Sequence, residues 1–184
     1  MLFAKISFSQ KTTVGAIRWD AWTGSSNSVG RQVEVSLGPN QYHYRVPFYG
    51  KEISADSVNI NACTQQIMDK EIIYAANAGL DYWAFLWYPS ASGLDQSRQL
   101  YQTSTLKQSI KYCLIVEAYN FNTNISIDNM VTEFSNPTYQ KVLTNRPLLY
   151  LLGYSGIQKS DVDSLRARTV RAGLGTPYIV EMRV

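Results

Sequence analysis

At 184 residues the chain has the length of one domain, and 45% hydrophobic with 17% charged residues is the composition of an ordinary folded protein, which excludes extended disorder. The formal net charge of +3 is small, and the basic residues are scattered apart from Arg166, Arg168 and Arg171 at one predicted helix end, where they favour the helix dipole rather than nucleic acid. One histidine, His43, and two cysteines, Cys63 and Cys113, without metal-ligand spacing supply neither a zinc site nor a Ser-His-Asp triad, so no metal and no cofactor is expected.

No apolar stretch approaches the roughly 20 residues of a membrane helix, so the chain reads as soluble with no membrane partner. Met1 to Phe8 has no basic region before a long apolar core and does not read as a signal peptide, which leaves a secreted or periplasmic longer precursor open. Cys113 lies inside an apolar run, and buried free thiols are expected rather than a disulfide.

In chain order, Val14 to Asp20 reads as the first strand. Residues 21–61 follow as a connection far longer than the usual roughly two to six residues, rich in Gly, Ser, Asn, Tyr and Pro, with Tyr42 to Gly50 at its centre. Long βα loops carry substrate contacts in barrel enzymes. The glycines of Gly24 to Arg31 match neither a Walker pattern nor dinucleotide spacing before a helix, so nucleotide binding is not indicated. Gln65 to Ala78 carries Met68, Ile72, Ala75, Ala76 and Gly79 on one helical face, and Ala78-Gly79-Leu80 is a helix stop before strand Leu80 to Tyr88. A weaker, broken helix spans Gly93 to Ile110 and leads to strand Tyr112 to Glu117. Ile127, Met130, Val131 and Phe134 share a face in a helix over Ser126 to Phe134. The unbroken apolar run of Arg146 to Gly153 fits a strand covered on both faces. Val162, Leu165, Thr169 and Ala172 mark the last helix, closed by Ala172-Gly173-Leu174 and followed by strand Pro177 to Met182. About five parallel strands in sequential order with four intervening helices are therefore expected, in a single βα-repeat domain.

Three of these strands end in a carboxylate: Asp20, Glu117 and Glu181. On the C-terminal edge of one parallel sheet, where α/β proteins place their chemistry, they are candidates for general acid/base catalysis. Glu117 follows four apolar residues and emerges where desolvation raises a carboxyl pKa; the alternative is a carboxylate bonded to loop amides. Asp20 has the alternative of capping the loop after its strand. Glu181 depends most on its surroundings. Aromatics crowd the same ends: Trp19 and Trp22, Trp87 and Tyr88, Tyr119 and Phe121, with Tyr42, His43 and Tyr44 as a further wall. Such rings stack on the CH faces of a sugar while carboxylates accept its hydroxyls, which makes Trp19, Trp22, Tyr44, Trp87, Tyr88 and Tyr119 candidate substrate contacts. Alternation sends Trp83 and Phe85 into the core, and the tyrosines also serve to pack a long loop.

The order of motifs resembles the glycoside hydrolase family 99-like group. Pro47-Phe48-Tyr49-Gly50, then Ile67 to Trp87 with its Ala-Gly-Leu-Asp-Tyr-Trp-Ala-Phe centre, is similar to that group's helix ending in Ala-Gly-Ile-Asp before an aromatic strand. Tyr112 to Asn120 takes the place of its third strand, Phe134 to Leu152 resembles its Phe, Asn/Asp-Pro, Tyr and Pro segment, and Leu165 to Val180 its next helix and strand. The resemblance spans most of Val14 to Met182 and implies a (β/α) TIM-like barrel that hydrolyses glycosidic bonds in a polysaccharide or glycan. Family 99 enzymes are endo-acting on α-mannosides and use two glutamates with the substrate's 2-hydroxyl as internal nucleophile. Those glutamates follow the fifth strand, and neither is placed in this chain. About five strands make an incomplete barrel, so the resemblance also implies either a missing C-terminal barrel segment or self-association to cover the open edges. The competing class is a non-catalytic glycan-binding or vestigial partial-barrel domain; an unrelated barrel enzyme with a small anionic substrate is a third.

Overall fold

The alternating pattern folds into a mixed α/β structure with a mostly parallel sheet, seen in a computed structural model that describes residues 12–89, 92–121, 124–153 and 156–183. Met1 to Phe8, and Ser90 and Ala91 of the loop after Tyr88, lie outside the described residues. Five strands run parallel in chain order: β1 (Gly15–Arg18), β4 (Tyr82–Leu86), β5 (Lys111–Glu117), β7 (Arg146–Leu152) and β8 (Tyr178–Met182). Helices α2 (Gln65–Asn77), α3 (Gln96–Thr103), α5 (Asn124–Phe134) and α6 (Lys159–Arg171) make the successive connections. The broken helix expected over Gly93 to Ile110 is α3 flanked by two short 3-10 turns.

The repeated Ala-Gly-Leu stop has one physical cause. In both copies the residue after glycine donates its N–H back to the carbonyl five residues earlier, Leu80 to Ala75 at 3.1 Å and Leu174 to Thr169 at 3.2 Å, while Gly79 and Gly173 bond to Ala76 and Val170. This is a Schellman closure, which needs a left-handed residue, and Gly79 and Gly173 supply it at φ 84° and 79°. At the other ends, Thr64 accepts from the Ile67 N–H and Gln158 forms a capping box with Asp161.

The long connection over 21–61 is structured. It holds helix α1 (Ser28–Leu37), capped by Asn27, and an antiparallel hairpin of β2 (Lys51–Ser54) and β3 (Ser57–Asn59). A second element absent from the sequence reading is β6 (Lys141–Val142), antiparallel to the start of β7. It follows Tyr139, which bridges Tyr112 in parallel register and is fully buried. The Tyr139 hydroxyl donates to the Leu148 carbonyl at 2.8 Å and accepts from the Leu114 N–H at 3.2 Å, so it joins β5 to β7. The turn between β6 and β7 places Leu143 and Thr144 at φ 45° and 80°.

Strand alternation divides the side chains between two faces. Trp83, Phe85, Tyr112, Leu114 and Val116 face the helices, where Tyr101 of α3, Phe134 of α5 and Tyr139 join them in a chain of edge-on and tilted rings. The opposite face carries Gly15, Tyr82, Cys113, Ile115 and Tyr150. Both cysteines are free thiols, Cys113 buried and Cys63 half-buried. Across that face the Tyr82 and Tyr150 hydroxyls meet at 2.8 Å, although β5 lies between their strands. The Tyr82 ring also fills the space over Gly15, where a Cβ would fall 2.1 Å from the ring. In a flat sheet β1 and β7 would stand about 14 Å apart, so the strands curl toward this face. Among the described residues the curl does not close: β1 and β8 are the two edges, and a closed TIM-like barrel is not present. No helix among the described residues is long and apolar enough to cross a membrane.

Two substitutions separate the left-handed sites. Thr144→Gly removes a β-branched residue from positive φ and is expected to stabilise the protein by about 1 kcal/mol, whereas Gly79→Ala, with open space but φ 84°, is expected to destabilise it by about 1 kcal/mol. Urea unfolding midpoints with unchanged slopes are the check.

Candidate functional site

At the C-terminal edge of β1, β4 and β5 a carboxylate and three rings come together. Glu117 is the last residue of β5 and lies half-buried on the concave face. The chain turns at once into the short helix α4 (Ala118–Phe121), which anchors itself through buried Phe121 and leaves Tyr119 69% exposed. The Tyr119 hydroxyl donates to Glu117 Oε2 at 2.5 Å. From β1, Trp19 is 53% exposed and its indole Nε1 donates to the Tyr88 hydroxyl at 2.7 Å, closing the gap between the ends of β1 and β4. Burial raises the Tyr88 phenol pKa, the Trp19 bond opposes this, and the nearby Glu117 charge raises it further, so Tyr88 sits within electrostatic reach of Glu117. Tyr119 is raised chiefly because its proton bonds to Glu117.

Asp20 belongs to a different assembly on the helix side. Arg18 Nε donates to both of its oxygens, at 2.9 and 2.8 Å, and Arg18 Nη2 donates to Glu71 of α2 at 2.7 Å. The guanidinium lies 4.4 Å from the centre of the Trp83 ring, a cation–π stack. Burial works against the arginine's charge, yet the two carboxylates outweigh it and hold its pKa above the ordinary value. Glu71 is raised by burial first and by Asp20, with Arg18 opposing. These groups border a cleft of about 340 Å³ walled by Trp19, Trp22, Tyr49, Tyr74 and Trp83. Cys63 nearby is pushed up to about 11 by burial and the Asp20 charge, which makes it a poor nucleophile.

The remaining sequence candidates lie apart. Glu181 pairs in register with Leu151, whereas Glu117 pairs with Leu152, so the two carboxylates face opposite sides of the sheet. Glu181 accepts instead from Arg183 Nε at 3.0 Å. Trp87 shares the helix side with Trp83 and Phe85, is only 8% exposed, and borders a cleft with Arg98 and Glu133. Trp22 lies between the Arg18 cleft and a groove along α1. Tyr44 is exposed on a 3-10 turn, where its hydroxyl accepts from Arg45 at 2.9 Å. Neighbouring His43 is buried and its Nε2 bonds the Gly38 carbonyl at 2.6 Å.

The sequence reading missed Arg18, Glu71 and Tyr74, and it set the Tyr42 to Tyr49 segment beside Glu117, whereas Tyr49 lines the Arg18 cleft. A signal for the first was present: a charged residue on the core-facing side of an apolar strand needs a buried partner, and Asp20 two residues on is one. Glu71, far in sequence, has only its place beside Ile72 on the helix to mark it. Comparison with protein-family models and with curated proteins finds no match to this chain.

The clamp makes two predictions about stability. Arg18→Met strands two carboxylates in a largely buried site and is expected to cost about 3 to 5 kcal/mol by denaturant unfolding. Because the folded pKa of Glu71 is raised, its stabilising contribution is full below the unfolded value and falls as pH rises through the folded one. Glu71→Gln should therefore flatten a decline of stability that the wild-type protein shows over that window; parallel curves for the two proteins would contradict the raised pKa.

Proposed function

We propose that the chain is a carbohydrate-active domain of TIM-like barrel type, related to the family 99-like glycoside hydrolases, that engages a polysaccharide or glycan at the Glu117 edge. The observation that carries this reading is the grouping of Glu117 with Tyr88, Tyr119 and Trp19 at the C-terminal ends of three parallel strands. Exposed rings supply stacking faces, and a half-buried carboxylate among them supplies an acceptor for hydroxyls or a proton for a departing glycosidic oxygen. The barrel part is supported by the Tyr82–Tyr150 contact. In such barrels the interior is filled in layers by side chains from alternate strands, and these two tyrosines come from the second and fourth parallel strands. The open edges β1 and β8 are then where further strands, or a second copy of the chain, would pair.

A second reading, glycan binding without hydrolysis, is favoured by a specific observation. Asp20 is held by Arg18 and Glu181 by Arg183, both turned from Glu117, so neither is placed as its partner in two-carboxylate chemistry.

The two readings share a binding test and differ in a kinetic one. Tyr119→Ala should weaken oligosaccharide binding by about 1 to 3 kcal/mol, measured by quenching of tryptophan fluorescence. Glu117→Gln keeps shape and hydrogen-bonding capacity, so binding should survive while hydrolysis of the bound glycan falls roughly 10²-fold or more. Turnover unchanged in Glu117→Gln would remove it from any mechanism. Unchanged affinity in Tyr119→Ala would remove the edge as the binding site.

A further inference from the structure

The cleft over Arg18 lies on the other side of the sheet from Glu117, and its polar groups are incompletely used. Trp83 is 6% exposed, borders this cleft, and its indole N–H has no hydrogen-bond partner among the described residues. Arg18 spends Nε and Nη2 on its two carboxylates, while Nη1 makes no hydrogen bond among those residues. Glu71 accepts from Arg18 through Oε2 and keeps Oε1. The Tyr49 hydroxyl lies near Glu71 and Arg18 without a hydrogen bond of its own among the described residues. These groups are reached by solvent rather than sealed by packing, so a ligand that displaces water from the cleft must replace the hydrogen bonds water makes there.

The demand on an occupant is specific. It must accept from the Trp83 and Arg18 N–H groups, donate to a Glu71 oxygen, and lie against aromatic walls. A free anion satisfies the donors but meets Asp20 and Glu71 at close range, two negative charges against one arginine. An apolar ligand leaves the donors unpaired. A neutral polyol ring, with hydroxyls that donate and accept on its rim and CH groups on its face, meets all three demands.

We propose that the Arg18 cleft is a second carbohydrate-binding site, on the helix side of β1, that takes one or two pyranose units of a neutral glycan. Trp19 separates it from the Glu117 edge and borders both. The proposal shares its ligand class and Trp19 with the reading of that edge, while Tyr74, Glu71 and Trp83 belong to the cleft alone. Tyr74 is 55% exposed on α2 and forms an outer wall that can be removed without touching the core.

Calorimetric titration of the full chain with α-mannohexaose and with cellohexaose tests it, comparing wild type, Tyr74→Ala, Glu71→Gln and Tyr119→Ala. Circular dichroism confirms that each variant is folded. The wild-type protein should show two classes of site for at least one sugar. Tyr74→Ala should weaken one class about tenfold or more, Glu71→Gln should weaken the same class, and Tyr119→Ala should weaken only the other. Loss confined to Tyr119→Ala would overturn the second site and leave the Glu117 edge standing; loss confined to Tyr74→Ala and Glu71→Gln would do the reverse. Both classes intact in Tyr74→Ala, or no binding of either sugar at millimolar concentration, would overturn the proposal.

Discussion

Arg18 is the constraint on which the candidate sites depend. It stands in an edge strand, where backbone pairing is available on one side only, and its guanidinium is held by Asp20, Glu71 and the Trp83 ring at once. That clamp ties β1 to α2 and to β4. It also fixes the two faces of the chain at the point where β1 ends. With Arg18 and Asp20 committed to the helix side, Trp19 between them is directed the other way, where its indole reaches Tyr88. The ring at the Glu117 edge and the cleft behind it are thus two consequences of one ion cluster. A buried cluster of this kind adds little net stability, because desolvation offsets its attraction, but removing one member is costly; its contribution is to specify geometry.

The curl of the sheet has a separate cause. Gly15 leaves room for the Tyr82 ring, and Tyr82 then reaches Tyr150 across β5, so three strands are drawn toward one face by a glycine and two phenols. On the helix side, Tyr139 performs the opposite task. Its hydroxyl spans the backbones of β5 and β7 where they diverge, and β6 continues from it along the start of β7. Curvature widens the sheet on one side, and an inserted segment fills the widened gap.

Much of this framework was legible in the sequence, and the reasons are local. The runs Tyr112 to Val116 and Leu148 to Leu152 are apolar throughout because both of their faces are covered, and the two Ala-Gly-Leu stops announce the same Schellman closure twice. The elements that were not foreseen are those set by long-range contact. Strand β6 is two residues long and exists because Tyr139 is held between strands; α1 carries Val29, Val33 and Leu37 at helical spacing but lies in a connection whose Gly, Ser and Asn content reads as loop, and β2 of the hairpin is exposed throughout. Placing the acidic residues on the C-terminal edge was within reach of strand reading; deciding which face each one takes was not. That depends on register: Glu117 pairs with Leu152 and Glu181 with Leu151, a difference of one residue that puts them on opposite sides. Trp87 falls on the helix side for the same reason.

The reading proposed for the concave edge around Glu117 requires that a glycan seated there meets Trp19 and leaves the buried Trp87 untouched. The chain's four tryptophans provide four indole N–H resonances, and two of them discriminate. Trp19 donates to Tyr88 at the edge, while Trp87 is buried against the helices. The most direct measurement is the nitrogen–proton correlation spectrum of the indole groups during titration with a neutral oligosaccharide. The account predicts that the Trp19 resonance shifts and saturates while the Trp87 resonance stays in place; a stationary Trp19 with a moving Trp87 would contradict it.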